Sequence, residues 1–384
     1  MQQPALFPDS VQRSLRQLPV IGEQRDITYY GSHAKSVLNG PEITGMGFWS
    51  VNPYTGCAFG CAYCYARYAH RYVMERAAAD DRLAGAAERE AGRIPPWLAF
   101  ERHIFVKRNA ASALARALRQ GSQRHLALVR GDAIVIGTAT DPYQPAERRF
   151  RITRSVLEVL AEHPGLRVVI ITKSPLVTRD IDVLRRIARH ASLTVHVSLI
   201  TTDRALARRL EPRAPTPEAR LRAVRRLAGA GIDVGVNCMP VLPGITDHPR
   251  ALEALVRSVA DTGATHLAVG SLRLQHEARK RYLPFIAAEF PHLADRYARA
   301  YAHAHAPSER YRDGLAAFVA RLCRKYGLDA GRGMRKAGRG TPDAGRGTRD
   351  AGRGSTERAA DAAQSMSSRP APRAPRPEQL VLAL

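Results

Sequence analysis

A regular alternation of short apolar runs and longer arginine-rich amphipathic segments, from Cys57 to about Gly270, restricts this chain to a small set of folds. The apolar runs predict buried parallel strands, and the amphipathic segments predict helices that cover the sheet. The pattern therefore predicts an α/β domain built from repeated β-α units. Periodicity alone does not separate a closed barrel from an open doubly wound sheet, and in both architectures ligands bind at the carboxyl ends of the strands.

Six segments have the composition of buried strands. They are residues 48–52, 133–137, 168–172, 194–198, 233–237 and 266–270. Helices are predicted near residues 61–75, 109–119, 151–162, 179–190, 217–230 and 249–261. A further short strand is predicted at residues 104–107, within the first crossover. A set of six strands, each followed by a helix, is enough to form most of a barrel.

Three of the five cysteines lie within eight residues and have the spacing C-x3-C-x2-C, at Cys57, Cys61 and Cys64. Structural zinc sites usually close with four ligands, and a ferredoxin-type run carries a fourth cysteine followed by proline. The other two cysteines are too distant in sequence to complete a local set of four, and His70 fits no familiar zinc spacing. The pattern favours a 4Fe–4S cluster with one iron free of protein ligands, and a zinc site is the alternative.

An aromatic residue, Tyr63, precedes the third cysteine and completes the pattern C-x3-C-x-aromatic-C. This pattern resembles the signature of the radical S-adenosylmethionine (SAM) superfamily. The runs Ser50-Val-Asn-Pro-Tyr-Thr-Gly-Cys57 and Cys64-Tyr-Ala-Arg67 are similar to the branch related to spore photoproduct lyase. The resemblance implies a partial (β/α)6 TIM-like barrel over residues 46–270, with the cysteines on the loop after the first strand.

The resemblance also implies the chemistry of the site. The open iron of the 4Fe–4S cluster would be chelated by the amino and carboxylate groups of SAM. One electron from the reduced cluster would break the C5′–S bond, giving methionine and a 5′-deoxyadenosyl radical that abstracts hydrogen from the substrate. An external donor of the flavodoxin or ferredoxin type would supply the electron, and the protein would position the cofactors and exclude water.

Residues that follow the predicted strands correspond to cofactor-binding positions of the family. For each of them a structural cap or salt bridge is the alternative role, although the fork of an arginine matches carboxylate geometry well. The candidates are Tyr63 for adenine, Thr138, Thr140 and Asp141 for the methionine amino group, Lys173 and Ser198 for the methionine carboxylate and the ribose side, and Arg213 as a further carboxylate clamp.

One position departs from the family pattern. Spore photoproduct lyase has a cysteine just after the second strand that returns a hydrogen atom to the substrate radical, and this position corresponds to Thr138 here. A hydroxyl O–H bond is too strong for that role, so repair of a thymine photoproduct by the same route is not expected. Cys238 and Tyr143 are the candidate replacements, and a small buried apolar residue is the alternative role for Cys238.

The chain is strongly basic, with a net charge of +24 over 384 residues. Residues 331–384 hold 11 Lys+Arg against 5 Asp+Glu, which leaves 48 against 30 on the rest of the chain. This charge is compatible with a nucleic-acid substrate, and an arginine-rich coding bias is the alternative. A non-catalytic DNA-associated protein with a structural iron–sulfur or zinc site is therefore the competing function.

The cysteine usage predicts a reducing compartment, and neither a signal peptide nor an apolar run of bilayer length is present in the sequence. We therefore expect a cytoplasmic protein without a membrane partner.

The segments outside the barrel have distinct compositions. Residues 1–45 form an N-terminal segment, and residues 271–327 are predicted to form a helical extension. Residues 328–376 contain Ala-Gly-Arg-Gly repeats without an apolar face and are predicted to be a disordered basic linker. The segment 377–384 ends in Gln-Leu-Val-Leu-Ala-Leu, at residues 379–384. This run is similar to the peptides that seat two leucines in the bacterial sliding clamp.

Overall fold

The computed structural model describes residues 20–24, 26–70, 96–119 and 121–331. The strands in this part of the chain are β1 (Val20–Gln24), β2 (Ile27–Ser32), β3 (Leu38–Asn39), β4 (Trp49–Val51), β5 (Tyr54–Thr55), β6 (His103–Lys107), β7 (Ala133–Ile136), β8 (Arg167–Thr172), β9 (Ser192–Ser198), β10 (Val234–Val241), β11 (His266–Ser271) and β12 (Asp329–Ala330).

Helices connect most of these strands. They are α1 (Pro41–Thr44), α2 (Pro96–Ala99), α3 (Ala110–Ala117), α4 (Gln123–Val129), α5 (Ala146–Phe150), α6 (Ile152–Leu160), α7 (Ile181–Ala188), α8 (Arg204–Leu210), α9 (Pro217–Gly229), α10 (Pro249–Ala260), α11 (His276–Glu289), α12 (Ala294–Ala300) and α13 (Glu309–Lys325). Short 3₁₀ turns occur at Tyr65–Tyr68, Pro175–Asp180 and Pro291–Leu293. Among these described helices none is both long and apolar enough to cross a membrane.

The main sheet has the strand order β12-β11-β10-β9-β8-β7-β4-β3. The strands from β4 through β7, β8, β9 and β10 to β11 are all parallel, and each of the six predicted strand segments overlaps one of them. At the edges, β3 is antiparallel to β4 and β12 is parallel to β11. The prediction of a partial (β/α)6 barrel is therefore confirmed.

The two faces of this sheet differ, as β10 illustrates. Val234, Val236 and Cys238 belong to the apolar core between the sheet and the helices. Gly235 and Asn237 alternate with them and so point to the opposite face, inside the barrel. Polar side chains at the carboxyl ends of the strands therefore meet on the inner face.

Two helices that follow β9 begin with side-chain caps. Asp203 accepts hydrogen bonds from the backbone N–H groups of Ala205 and Leu206 in α8, and Thr216 caps α9 ahead of a proline at its first position. The last residue of α8, Leu210, accepts a hydrogen bond from the N–H of Ala62 in the cysteine loop.

A second, four-stranded sheet has the order β1-β2-β6-β5. The strand predicted at residues 104–107 is β6, but it pairs with β2 and β5 instead of joining the barrel sheet. Its partner β2 lies more than seventy residues upstream and was not predicted from the sequence. Because β5 ends one residue before Gly56, this second sheet positions the start of the cysteine loop.

The segment after the barrel contains α11, α12 and α13, and the chain then returns to add β12 to the main sheet. The main sheet therefore continues to Ala330, a few residues into the predicted linker. The helix predicted at 61–75 starts as a 3₁₀ turn, and its second half lies outside the described residues. The repeats after residue 331 and the segment 377–384 also lie outside the described residues.

Candidate iron–sulfur and cofactor site

The cysteine loop, residues 56–64, passes unusually close to the second sheet. Gly56 has a φ of 86°, and a Cβ there would lie 2.7 Å from the carbonyl oxygen of His103 and 2.9 Å from that of Phe100. The backbone N–H of Cys57 donates to the Phe100 oxygen at 2.9 Å. Only glycine fits this backbone conformation at this separation.

Two side chains from the segment after β7 also hold the loop. The hydroxyl of Thr140 donates to the carbonyl oxygen of Gly56 at 2.6 Å. The amide of Gln144 donates to the same oxygen at 3.0 Å and accepts from the N–H of Ala58 at 3.0 Å. Thr140 therefore has a structural contact, and its predicted role in binding the methionine amino group stays a prediction.

The end of the loop is held from two other directions. The N–H of Ala62 donates to the carbonyl oxygen of Leu210, at the end of α8, at 3.0 Å. The fully buried Arg67 donates to the carbonyl oxygen of Cys61 at 2.8 Å and forms an ion pair with Glu101 at 2.7 Å. The positions of the cysteines are thus set by elements distant in sequence.

The three thiols lie close enough to influence one another electrostatically. Burial raises the pKa of Cys57 to about 12, with further contributions from Asp141 and Cys64. Burial also raises the pKa of Cys61, and the neighbouring Lys173 opposes this shift. Coordination to iron would deprotonate such thiols, since thiolates are the metal ligands.

The three thiols are donors that suit an iron–sulfur cluster and also a zinc ion. In the described ranges, no three His, Cys, Asp or Glu side chains converge as the ligands of one metal ion. His70 packs with its ring centroid 5.3 Å from that of Phe105. The candidate ligands of this loop are therefore the three thiols.

A lysine stands beside the cysteine loop. Lys173, which directly follows β8, has its Nζ atom 3.9 Å from Oε1 of Glu211 and 5.7 Å from the centre of the Tyr63 ring. Burial disfavours its charge, but Cys61 and Glu211 outweigh this effect and raise the pKa of Lys173. The group is a fixed cation at the carboxyl ends of the strands.

Behind this lysine lies a buried charged network that the sequence analysis missed. Glu211 accepts hydrogen bonds from the Tyr63 hydroxyl and the Arg220 guanidinium. Arg220 also donates to the carbonyl oxygen of Ser198 at 3.0 Å. Burial disfavours the Glu211 carboxylate, but Arg220 and Lys173 outweigh it and lower the pKa of Glu211. In the sequence, the only signal for Glu211 is its position two residues before Arg213, the predicted carboxylate clamp.

Asp141 links two of the strand ends. Its carboxylate accepts from the Thr172 hydroxyl at 2.7 Å, from the Tyr143 N–H at 2.9 Å and from the Lys173 N–H at 2.7 Å. Burial raises the pKa of this carboxyl, and these hydrogen bonds oppose the shift. Thr138 has its hydroxyl 3.1 Å from the amide nitrogen of Asn52. These contacts are structural, and the cofactor roles predicted for both residues stay predictions.

The guanidinium of Arg213 already holds a carboxylate of this chain. Its Nη1 atom donates to both oxygens of Asp26, at 3.1 and 3.0 Å, and its Nη2 atom donates to the carbonyl oxygen of Glu101 at 3.3 Å. The side chain is 29% exposed and lies behind Gly60. Arg213 thus ties the cysteine loop to the first hairpin, and its predicted role toward the cofactor stays a prediction.

The two predicted hydrogen-atom donors point away from the inner face. Cys238 lies in the outer apolar core, where burial and the nearby Cys323 raise its pKa to about 12. Tyr143 belongs to the same core, and burial together with Asp180 and Glu147 raises its pKa. These positions do not support either side chain as a donor to a substrate inside the barrel, and the catalytic roles of Cys238 and Tyr143 stay predictions. Along β10 the reason is the strand alternation, which turns Asn237 inward and Cys238 outward.

A cysteine triplet at the carboxyl ends of a partial parallel barrel defines a class of iron–sulfur enzymes. Residues 51–255 match the family model of the radical SAM superfamily, so the chain belongs to that superfamily and is an enzyme of the radical SAM class. This membership implies SAM and an iron–sulfur cluster as cofactors. The alternative of a non-catalytic DNA-associated protein is thereby wrong.

Several proteins similar in sequence to this chain are uncharacterized. One from Mycobacterium tuberculosis is 33% identical over 304 residues, which cover 79% of this chain and 82% of the relative. One from Methanocaldococcus jannaschii is 26% identical over 214 residues, which cover 56% of this chain and 68% of the relative. These relatives name no reaction.

Solved structures of spore photoproduct lyase share the fold. A mutant with AdoMet and dinucleoside spore photoproduct bound has a TM-score of 0.52 at 14% identity, and the match covers 81% of this chain and 86% of that chain. Another mutant has a TM-score of 0.55 with the same identity and coverage. At this identity the likeness establishes the partial barrel, in agreement with the predicted fold class.

Proposed function

We propose that this protein cleaves SAM reductively with a 4Fe–4S cluster bound by Cys57, Cys61 and Cys64, and acts on a nucleic-acid substrate. The observation that carries the proposal is the triplet itself, held beside Lys173 at the carboxyl ends of the strands. Cys57, Cys61 and Cys64 would hold the cluster, which would supply the one electron needed for reductive cleavage of the C5′–S bond of SAM. An external donor of the flavodoxin or ferredoxin type would return that electron.

The chain's own contribution is binding, orientation and exclusion of water. Lys173 offers a fixed positive charge beside the cysteine loop, which suits the carboxylate of SAM. Cys57 and Cys61 are each less than a tenth exposed, so a cluster bound there is shielded from solvent. This shielding strengthens electrostatic interactions at the site and protects a radical from side reactions.

The return of a hydrogen atom has to differ from the cysteine route of spore photoproduct lyase. The described part of the chain contains all five cysteines. Three of them are the proposed cluster ligands, and Cys238 and Cys323 lie in the outer core. No further thiol of this chain is therefore available inside the barrel. We propose that no cysteine of this chain returns a hydrogen atom to the substrate radical, so that thymine-dimer reversal by the route of spore photoproduct lyase is not the reaction.

A nucleic-acid substrate is supported by the charge of the protein. The chain outside residues 331–384 has 48 Lys+Arg against 30 Asp+Glu. Exposed arginines, including Arg204, Arg208 and Arg209 of α8, lie on the helix whose last residue bonds the cysteine loop. Binding to short single-stranded and duplex DNA should weaken steeply as salt is raised. Absence of any salt-sensitive binding would count against this substrate class.

The reaction is tested with protein purified and reconstituted without oxygen. Reduced wild-type protein should give an electron paramagnetic resonance signal that changes when SAM is added, and should form 5′-deoxyadenosine detectable by chromatography. Cys61→Ala should abolish both. Cys238→Ala is the matched control, because its thiol faces the helices, and it should retain both. A fully loaded cluster that ignores SAM would contradict the proposal.

The setting of this reaction is also part of the proposal. An oxygen-sensitive cluster and a sequence with few, clustered cysteines support the cytoplasm as the compartment. The similarity of residues 379–384 to clamp-binding peptides supports the bacterial sliding clamp as a partner, which would bring the enzyme to DNA.

A further inference from the structure

Three polar side chains stand side by side on the inner face of the barrel. Ser198 of β9 pairs in register with Asn237 of β10. Lys173 directly follows Thr172, which pairs with Val197, so Lys173 lies level with Ser198 on the neighbouring strand. Because parallel strands in register place such residues in one layer, the three side chains form a polar row at the carboxyl ends of the strands.

The side chain of Asn237 has a buried polar atom that no described contact satisfies. Its side chain is 4% exposed, and its Oδ1 atom is buried with no hydrogen-bond partner among the residues that the structure describes. A buried carbonyl oxygen without a partner costs free energy that a leucine of similar size would avoid. A group that donates a hydrogen bond and enters the barrel from outside the chain would account for an asparagine at this position.

The layer beneath the row is filled by imidazole rings. His196 and His266 contact each other through Nδ1 and Nε2 at 3.3 Å, with the ring centroids 4.8 Å apart. Between them stands Gly235, where a Cβ would lie only 2.1 Å from Nε2 of His266. The rings therefore form the floor of this part of the barrel. A ligand of the polar row has to enter from the side of the cysteine loop.

We propose that Asn237 binds the nucleoside part of SAM, with its Oδ1 atom accepting a hydrogen bond from a ribose hydroxyl or from the adenine amino group. This inference rests on the proposed function. The cation of Lys173 lies at one end of the row and suits the carboxylate of SAM. The nucleoside of SAM would then lie toward the other end of the row, at β10. An asparagine amide suits either nucleoside group, since it can pair with the adenine edge or with a hydroxyl. An internal water between Asn237 and His196 is the competing explanation.

The test is calorimetric binding of S-adenosylhomocysteine to reconstituted, oxygen-free protein. Asn237→Ala should weaken this binding roughly tenfold or more, as expected for loss of a buried hydrogen bond to a ligand. Thr194→Val is the matched control. It removes a hydroxyl from the same face of β9, in a lower layer, where Thr194 bonds Asp233 at 2.9 Å. The control should bind like the wild type.

Ligand analogues identify the donor group. Analogues without the 2′-hydroxyl, without the 3′-hydroxyl, or with unsubstituted purine in place of adenine each remove one donor. The analogue that lacks the partner of Asn237 should bind the wild type roughly tenfold more weakly and bind Asn237→Ala without further loss. If Asn237→Ala fails to fold by circular dichroism, the wild-type series decides, and equal affinity for all analogues overturns the inference.

The outcomes separate this inference from the proposed function. Wild-type protein that does not bind S-adenosylhomocysteine overturns the proposed function and the inference with it. Binding by the wild type that is unchanged in Asn237→Ala overturns the inference alone. In that case a lowered melting temperature would identify the asparagine as the partner of an internal water.

Discussion

Replacement of Glu211 by glutamine removes one negative charge from a fully buried site and nearly preserves the shape of the side chain. The carboxylate pairs with Arg220, and the exposed fractions of the two side chains are 0% and 1%. It also accepts from the Tyr63 hydroxyl and lies 3.9 Å from Nζ of Lys173. The variant therefore leaves the buried Arg220 and the partly buried Lys173 without the carboxylate that both of them contact.

The expected loss of stability follows from this burial. Removal of one partner from a buried ion pair destabilises a protein by about 3–5 kcal/mol, because the other charge stays desolvated. Arg220 keeps hydrogen bonds to the carbonyl oxygens of Ser198 and Pro215, at 3.0 and 2.9 Å. These bonds compensate in part, so we expect Glu211→Gln to lower the free energy of unfolding by about 3 kcal/mol.

The measurement is urea denaturation of the cluster-free protein, monitored by circular dichroism. The free energies of unfolding are compared only if the variants and the wild type show the same dependence of that free energy on urea concentration. Glu289→Gln is the control, because Glu289 pairs with Arg209 of α8 while both side chains are more than 40% exposed. That variant should lose no more than about 1 kcal/mol. A loss for Glu211→Gln as small as that of the control would refute the argument that desolvation makes this pair important.

Three further predictions concern other parts of the molecule. Burial lowers the pKa of His70 to about 3, so the folded protein cannot take up the proton that the unfolded chain binds below about pH 6.5. Stability should fall as the pH drops from 7.5 to 5, and His70→Phe should remove about 2 kcal/mol of this fall in denaturation experiments. Gln144→Ala breaks two hydrogen bonds to the cysteine loop. It should lower the iron content after reconstitution, and full loading would contradict the role given to Gln144. Deletion of residues 379–384 should abolish binding to an immobilised sliding clamp and leave the iron content unchanged, whereas unaltered binding would rule out the peptide.

Some features were predictable because their signal is local. The three cysteines and Tyr63 lie within one short loop, so their spacing alone indicated an iron–sulfur site and the family. The strands of the main sheet were visible as apolar runs, since parallel strands are buried on both faces. Such runs carry little information about which residues face inward. For this reason Cys238 was expected inside the barrel, although Asn237 occupies that face.

The class of fold, the cluster-binding loop and the superfamily could be predicted from the amino-acid sequence, because each leaves a signal in residues that are close together along the chain. The partners of that loop became known from the tertiary structure. Tyr63 meets Glu211 across 148 positions of sequence, and Thr140 and Gln144 reach Gly56 from more than eighty residues away. The second sheet likewise joins β2 to the distant β6. Such contacts arise when parallel strands bring their carboxyl ends together, and local periodicity contains no record of which residues will meet there.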